Sequence, residues 1–260
     1  GKNVEIPLLE LSDERYLDVQ GNLSLLNWDA KHDMFIQAEL KNLSVTQPGI
    51  RYFMDNLTGS VPSILDRMEF VRFKGSAGGY FHDLQVGGLL QTAAGAVDAN
   101  LLINSDLDFK RTYSGGVKSE NLNLGKLLGD SKFGHVQFNV DLEGFNYNDK
   151  YPESYIKGLV SSFDYSGYRY ENISLDGIYK DGGFNGHLAL DDENGKVRID
   201  GSFNIAEKIS DFNLYATIQN LRLDKLNLSD KYIDSDISFN LNADFTGSSI
   251  DDVNGRILLD

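Results

Sequence analysis

Cysteine is absent from this 260-residue chain. No disulfide framework can staple it, and no thiolate metal site can form. The absence leaves the compartment open, because cysteine-free proteins occur on both sides of the redox divide. Proline is scarce, with 4 residues against 26 glycines, so tight turns and long ladders are favoured. No run of about 18 apolar residues exists, which excludes a helix that spans a bilayer. Positive charge is also short: 24 Lys and Arg face 39 Asp and Glu, for a net charge of −15. That field repels phosphates and argues against nucleic acid as a partner, and against broad docking on an anionic membrane surface. There is no secretion signal and no initiating methionine. Gly1 opens the chain and Leu258–Asp260 breaks off in an alternating run, which reads as a piece of something longer.

What is present is alternation. Hydrophobic residues make up 41% of the chain, enough for a core, and they fall on every second position. In GHVQFNVDLEG (134–144), Val136, Phe138, Val140 and Leu142 alternate with Gln137, Asn139, Asp141 and Glu143. The same holds for MFIQAEL (34–40), KVRIDGSFNI (196–205), DFNLYATIQNL (211–221) and ISFNLNADF (237–245). A period of two makes strands with one greasy and one wet face, as in an antiparallel sheet. Asn194-Gly195 predicts a type I′ hairpin, and Asp181-Gly182-Gly183 predicts another turn. Helix is sparse: PSILDRMEF (62–70) has a proline at a helix start, and LGKLLGDS (124–131) and LDKLNLSDK (223–231) each allow a single turn. Residues 120–144 and 219–247 share the order Asn-Leu-x-Leu-x-Lys-Leu, polar connector, Phe-centred strand, about 100 residues apart. The chain therefore reads as one continuous repeat-built segment over 1–260, with similar units at about 120–160 and 219–260.

Catalytic chemistry finds little purchase. His32, His82, His135 and His187 have no ligand spacing and read as sheet-edge or turn residues. The acids Asp191, Asp192 and Glu193, and the pair Asp251-Asp252, read as solvated turns. No GxSxG motif occurs, and GSAGG (75–79) lacks the lysine of a phosphate-binding loop. The five Asn-x-Ser/Thr triplets all carry Leu or Ile in the middle, as strand alternation produces by itself. Tyr165, Tyr168 and Tyr170, with Tyr147, Tyr151 and Tyr155 before them, read as cross-strand aromatic pairs. A sugar-stacking platform, hence a glycan-binding or adhesive surface or periplasmic protein, is the alternative. No cofactor and no enzymatic activity are expected.

The segment YRYENISLDGIYKDGGFNGHLALDDENGKVRIDGSFNI (168–205) resembles a repeat of the Bacteroidetes-type TamB family, AsmA-like proteins of translocation and assembly. ISDFNLYATIQNLRLDKLNLSD, FTGSSIDDVNGRILLD and FVRFKGSAGGYFHDLQVGGLLQTAAGAVDANLLI resemble further family segments in the family's order, so that the likeness runs from about Asn42 to Asp260. The resemblance implies an all-β fold: an extended, curled antiparallel sheet forming a groove, with a closed β-sandwich as the alternative. It implies a middle segment of a periplasmic body, anchored in the inner membrane by an N-terminal helix outside this chain. Its role would be phospholipid transport between the two membranes, outer-membrane protein assembly, or both. Its partners would be phospholipid acyl chains and, through absent parts, an outer-membrane barrel partner. The groove lining would be Val136, Phe138, Val140, Leu142, Leu214, Ala216, Ile218, Ile237, Phe239, Leu241 and Phe245.

Overall fold

The computed structural model describes residues 1–30, 33–58, 61–80, 82–105, 111–145, 153–204, 210–247 and 254–260. The protein is all-β. Its strands are β1 (Val4–Asp13), β2 (Leu17–Leu26), β3 (Phe35–Thr46), β4 (Phe70–Tyr80), β5 (Asp83–Thr92), β6 (Gly95–Ser105), β7 (Arg111–Asn123), β8 (Phe133–Phe145), β9 (Glu153–Tyr165), β10 (Tyr168–Lys180), β11 (Gly183–Asp192), β12 (Gly195–Asn204), β13 (Asp211–Leu221), β14 (Ile237–Thr246) and β15 (Asn254–Leu259). Three short helices are described: α1 (Gln47–Thr58), α2 (Ser63–Arg67) and α3 (Leu124–Leu128).

The strands follow one another in a single sheet in chain order, with no crossover. Each described pair is antiparallel. The expected extended antiparallel sheet with few helices is found. The alternative, a closed sandwich, is not: the strands form one layer. Two compact units divide the chain, residues 1–136 and 137–260. Within each, the sheet is open and uncurled, so the curl implied by the resemblance is corrected. Among the described residues each strand packs extensively only on its sequence neighbours, and nothing draws one flank toward another. No described helix is long and apolar enough to cross a membrane.

The turns show which local chemistry was decisive. Asp181 (φ 50°) and Gly182 (φ 76°) are both left-handed, as a type I′ hairpin needs, and so are Ser166 (φ 49°) and Gly167 (φ 82°). The Asn194-Gly195 hairpin forms, but not as type I′. Its central residues are Glu193 and Asn194, flanked by the pair Asp192–Gly195, and the Asp192 carboxylate accepts the Asn194 N–H at 2.9 Å. A side-chain acceptor two residues back replaces the left-handed geometry.

One end of each unit's sheet is plugged. In the first unit, Thr46 Oγ1 accepts the Gly49 N–H at 3.2 Å and Pro48 opens α1. Ile50 is buried beneath it. Arg51 holds Asp66 by two bonds, at 2.7 and 3.1 Å, tying α1 to α2. Asn123 caps α3 by accepting the Lys126 N–H at 2.8 Å, and left-handed Gly129 (φ 72°) ends it. Arg67 then donates to the Leu127 carbonyl at 3.0 Å. The helices at 62–70 and 124–131 are thus found in shorter form; α1 was not expected, although Ile50, Phe53 and Met54 carry helical spacing.

In the second unit, the segment expected as a helical turn at 223–231 is a run of turns. Leu223 gives its N–H to Ser235 Oγ at 2.9 Å, and Asn227 is left-handed at φ 55°, which interrupts the helical ladder. Leu226 sits at its centre, fully buried. Its carbonyl accepts the Tyr170 hydroxyl at 2.8 Å, and Asn227 Nδ2 donates to the Ser166 carbonyl at 3.2 Å. The two plugs use matching contacts. Asn123 N–H donates to the Ala94 carbonyl at 2.7 Å, and Arg222 N–H donates to the Asn194 carbonyl at 2.9 Å. Thr92 Oγ1 accepts the Ala94 N–H as Asp192 accepts that of Asn194. Leu127 and Leu226 fill the two ends.

Leu226→Ala is expected to destabilise the second unit by about 3 kcal/mol, the loss of a buried leucine plus its cavity. Leu228→Ala, at an exposed site in the same segment, should change stability by less than about 0.5 kcal/mol. Urea unfolding of both variants checks the contrast.

Candidate functional site

Register shows what the alternating residues build in the second unit. Phe212, Leu214, Ala216 and Ile218 of β13 stand opposite Phe203, Gly201, Ile199 and Val197 of β12, and opposite Phe245, Ala243, Leu241 and Phe239 of β14. The rows continue through Phe184, Leu188 and Leu190 of β11 to Leu175 and Ile173 of β10. Paired residues share a face, so β9–β15 carry one continuous apolar surface. Of the expected lining residues, Leu214, Ala216, Ile218, Phe239, Leu241 and Phe245 lie together on it, and Ile237 joins them by alternation along β14. Val140 meets Gly158 of β9, which pairs with Leu175, so Phe138, Val140 and Leu142 belong to it as well. Val136, the last residue of the first unit, alternates with these on β8.

The surface is uncovered. Val140, Ala216 and Ala243 are buried, at 9%, 3% and 2% exposure, while the larger side chains between them stay half-buried. They shield one another sideways, with no second layer above among the described residues. Ile257 and Leu259 of β15, at the end of the same rows, are 46% and 65% exposed.

Phenylalanine and glycine shape the face. Phe184 and Phe203 lie 5.8 Å apart, and Phe212 stacks on Phe245 at 4.8 Å and 21°, each pair adding about 1 kcal/mol beyond area burial. The Phe184 ring lies over Gly177, where a Cβ would come within 2.7 Å of Cζ and 2.5 Å of the Asn185 carbonyl oxygen. Glycine there lets the ring lie flat on the sheet. The expected lining leaves out Phe184, Phe203 and Phe212, although Phe203 and Phe212 alternate with the apolar residues of their own strands.

Each unit has a hollow on its own polar face. One of about 760 Å³ in the first unit is bordered by Asn22, Gln37, Glu39, Lys74, Gln85 and Asn100. Another, of about 360 Å³, is bordered in the second unit by Lys157, Asp176, His187, Arg198 and Asp200. There Lys157 pairs with Asp176 at 2.8 Å and His187 contacts Asp200. The Asp176 carboxyl is held below the ordinary range by Lys157 and then by the Tyr155 hydroxyl, which donates to it at 2.5 Å. All these groups are solvated, and such pairs add little stability. Among the described residues no cluster of acids and histidines could hold a metal.

The tyrosine-rich stretch is packed rather than displayed. Tyr168 and Tyr170 meet edge-to-face at 4.8 Å, beside Phe163. Tyr168 donates to Asp192 at 2.5 Å and accepts from Asn194 Nδ2 at 3.0 Å. Asp192, expected to be solvated, is instead 5% exposed and also accepts the Glu171 N–H at 3.0 Å. A carboxylate with three donors is satisfied without water. His82 sits in a turn, His135 on β8 and His187 on β11; His32, Tyr147, Tyr151 and Asp251-Asp252 lie outside the described residues.

No protein-family model, no curated protein and no solved structure matches the chain. The likeness to TamB proteins rests on the sequence motifs.

Burial, reinforced by the Asp192 carboxylate, pushes the Tyr168 hydroxyl up to about 12. The folded state holds this proton more tightly than the unfolded chain, whose tyrosines titrate near pH 10. The stabilisation is therefore complete below about pH 10 and lost as the pH climbs to about 12. Tyr168→Phe should flatten this alkaline part of the stability–pH curve in urea unfolding.

Proposed function

We propose that this chain is a non-enzymatic segment of a TamB-like periplasmic protein, and that its uncovered apolar face carries lipid acyl chains between the inner and outer membranes. The observation that supports this reading is the continuous apolar surface over β9–β15, built of Phe, Leu, Ile and Val and left without a covering layer. Monomeric soluble proteins rarely leave more than a few hundred Å² of contiguous apolar surface bare. The side chains on this surface offer no hydrogen-bonding groups at its centre, so they suit a ligand that asks only for dehydration. A 16-carbon chain fully buried would gain about 12 kcal/mol at ~0.8 kcal/mol per CH₂. Laid on an open face it loses water from one side only, so about 6 kcal/mol is available, corresponding to a dissociation constant in the range of tens of micromolar. Such an affinity holds a lipid in transit without trapping it. Assembly of outer-membrane proteins is the second family role, with the same surface receiving apolar strands.

The test is extraction. The chain purified without detergent should yield stoichiometric phospholipid by mass spectrometry of an organic extract. Phe239→Asp, with an unchanged β circular-dichroism spectrum, should lower that yield by at least about half. A clean extract from a well-folded monomer overturns the lipid reading. A clean extract from a dimer overturns it as well, and places a second copy on the face.

A further inference from the structure

The hollow on the polar face of the first unit has a composition that the acyl-chain reading does not use. Four neutral amides border it, Asn22, Gln37, Gln85 and Asn100, with Ser76 between them. They come from five successive strands, β2 to β6, which register aligns in two adjacent rows. Asn22, Glu39, Ser76, Gly87 and Asn100 form one row; Gln37, Gly78 and Gln85 form the next. Each amide both donates and accepts. Two are already oriented: Asn22 Nδ2 donates to Glu39 Oε2 at 3.3 Å, and Gln85 Nε2 donates to Asn100 Oδ1 at 3.2 Å. Either arrangement leaves further lone pairs and N–H groups facing solvent.

The charges around the hollow cancel. Glu39 and Asp98 stand against Lys41 and Lys74, so neither an anion nor a cation is favoured. The floor is low because β4 and β5 place Gly78 and Gly87 in these rows. Above Gly78 the space is open, since a Cβ built on it meets nothing within 4 Å. Two residues farther along β4, on the same face, stands Tyr80, 48% exposed. Its ring meets Phe35 edge-to-face at 5.4 Å and stacks on His82 at 5.6 Å. That fixes an aromatic surface at one end of a trough of amides.

We propose that this hollow binds a neutral oligosaccharide, laid across the strands. Hydroxyl groups donate and accept as amides do, so four amides spread over two adjacent rows match a polyhydroxylated chain better than any charged ligand. The aromatic ring at the end offers its apolar surface to the C–H face of a sugar ring. Adjacent strands lie about 4.8 Å apart, close to the length of one pyranose unit along a saccharide chain. Successive sugars can therefore meet a polar group of each strand in turn, an amide on β2, β3, β5 and β6 and the Ser76 hydroxyl on β4. The site is separate from the apolar face and does not depend on it.

The experiment is a titration of the whole chain with cellohexaose, laminarihexaose, maltohexaose and xylohexaose, followed by ¹H–¹⁵N correlation spectra and calorimetry. At least one probe should bind with a dissociation constant of about 1 mM or tighter and shift the side-chain amide signals of Gln85 and Asn100. Gly78→Phe, which fills the hollow with room for its Cβ, should weaken binding at least about tenfold. The double variant Gln85→Ala/Asn100→Ala should do the same by a second route, and serves if Gly78→Phe does not fold. Phe239→Asp, on the apolar face of the other unit, should leave binding unchanged. Failure of every probe to bind at about 10 mM, or binding that survives both variants, overturns the proposal.

Discussion

A single layer of strands has no partner layer, and that constraint governs the rest of this structure. In a sandwich, one sheet's apolar residues are covered by the other's. Here each apolar side chain can be shielded only by neighbours on its own face and by the plugs at the sheet ends. Cross-strand pairs therefore become the main unit of stabilisation. Phe212 against Phe245 and Phe184 against Phe203 are such pairs. The ring of Phe184 lying flat over Gly177 is another response, since a ring that lies along the sheet buries one of its surfaces without needing a cover. Leu127 and Leu226 complete the set by sealing the ends where a turn crosses from one strand to the next.

The strands were legible because the period of two is so regular. Once Phe212, Leu214, Ala216 and Ile218 are seen to alternate with Asn213, Tyr215, Thr217 and Gln219, the strand and its two faces follow. Long-range pairing was the part that alternation could not supply. A strand with one greasy face fits a sandwich, a curled trough and an open layer equally well, and only the register and the absence of a covering layer separate them. The same limit explains Asp192. Among acids at a hairpin tip it looked solvated, yet Tyr168 and Glu171, both on β10, bring it a hydroxyl and an N–H and bury it. Helix α1 was overlooked for a different reason: its apolar positions Ile50, Phe53 and Met54 follow directly on a strand that ends at Thr46, and the change of period occurs without a break in composition.

The candidate site divides in the same way. Membership of Leu214, Ala216, Ile218, Phe239, Leu241 and Phe245 in one face could be read from two strands alone. Phe184, Phe203 and Leu188 could not be joined to them without the pairing of β11 with β12 and β12 with β13. The polar hollow was invisible for a further reason. Its amides are spread from Asn22 to Asn100, one or two per strand, and each looks like an ordinary wet-face residue in its own segment. Only five strands in register gather them into one place.

Sequential pairing also settles how such a chain can tolerate an uncovered face. Every described pairing is between strands adjacent in sequence, so each can form by closing a hairpin or a longer connection such as 47–69 or 222–236, at a loop-closure cost that grows only slowly with length. Stability then approaches a sum of local terms and nearest-neighbour interfaces, as it does in repeat proteins. Turns such as Asp181-Gly182 and Ser166-Gly167 fix register locally, and the polar face keeps charges such as Lys157 and Asp176 in water. A one-residue slip would exchange the two faces of a strand and place those charges in the apolar rows. The alternation that leaves one face bare is thus the same feature that makes the register unambiguous. Covering that face with another layer of this chain is not needed to specify the fold, which leaves the face free for a ligand.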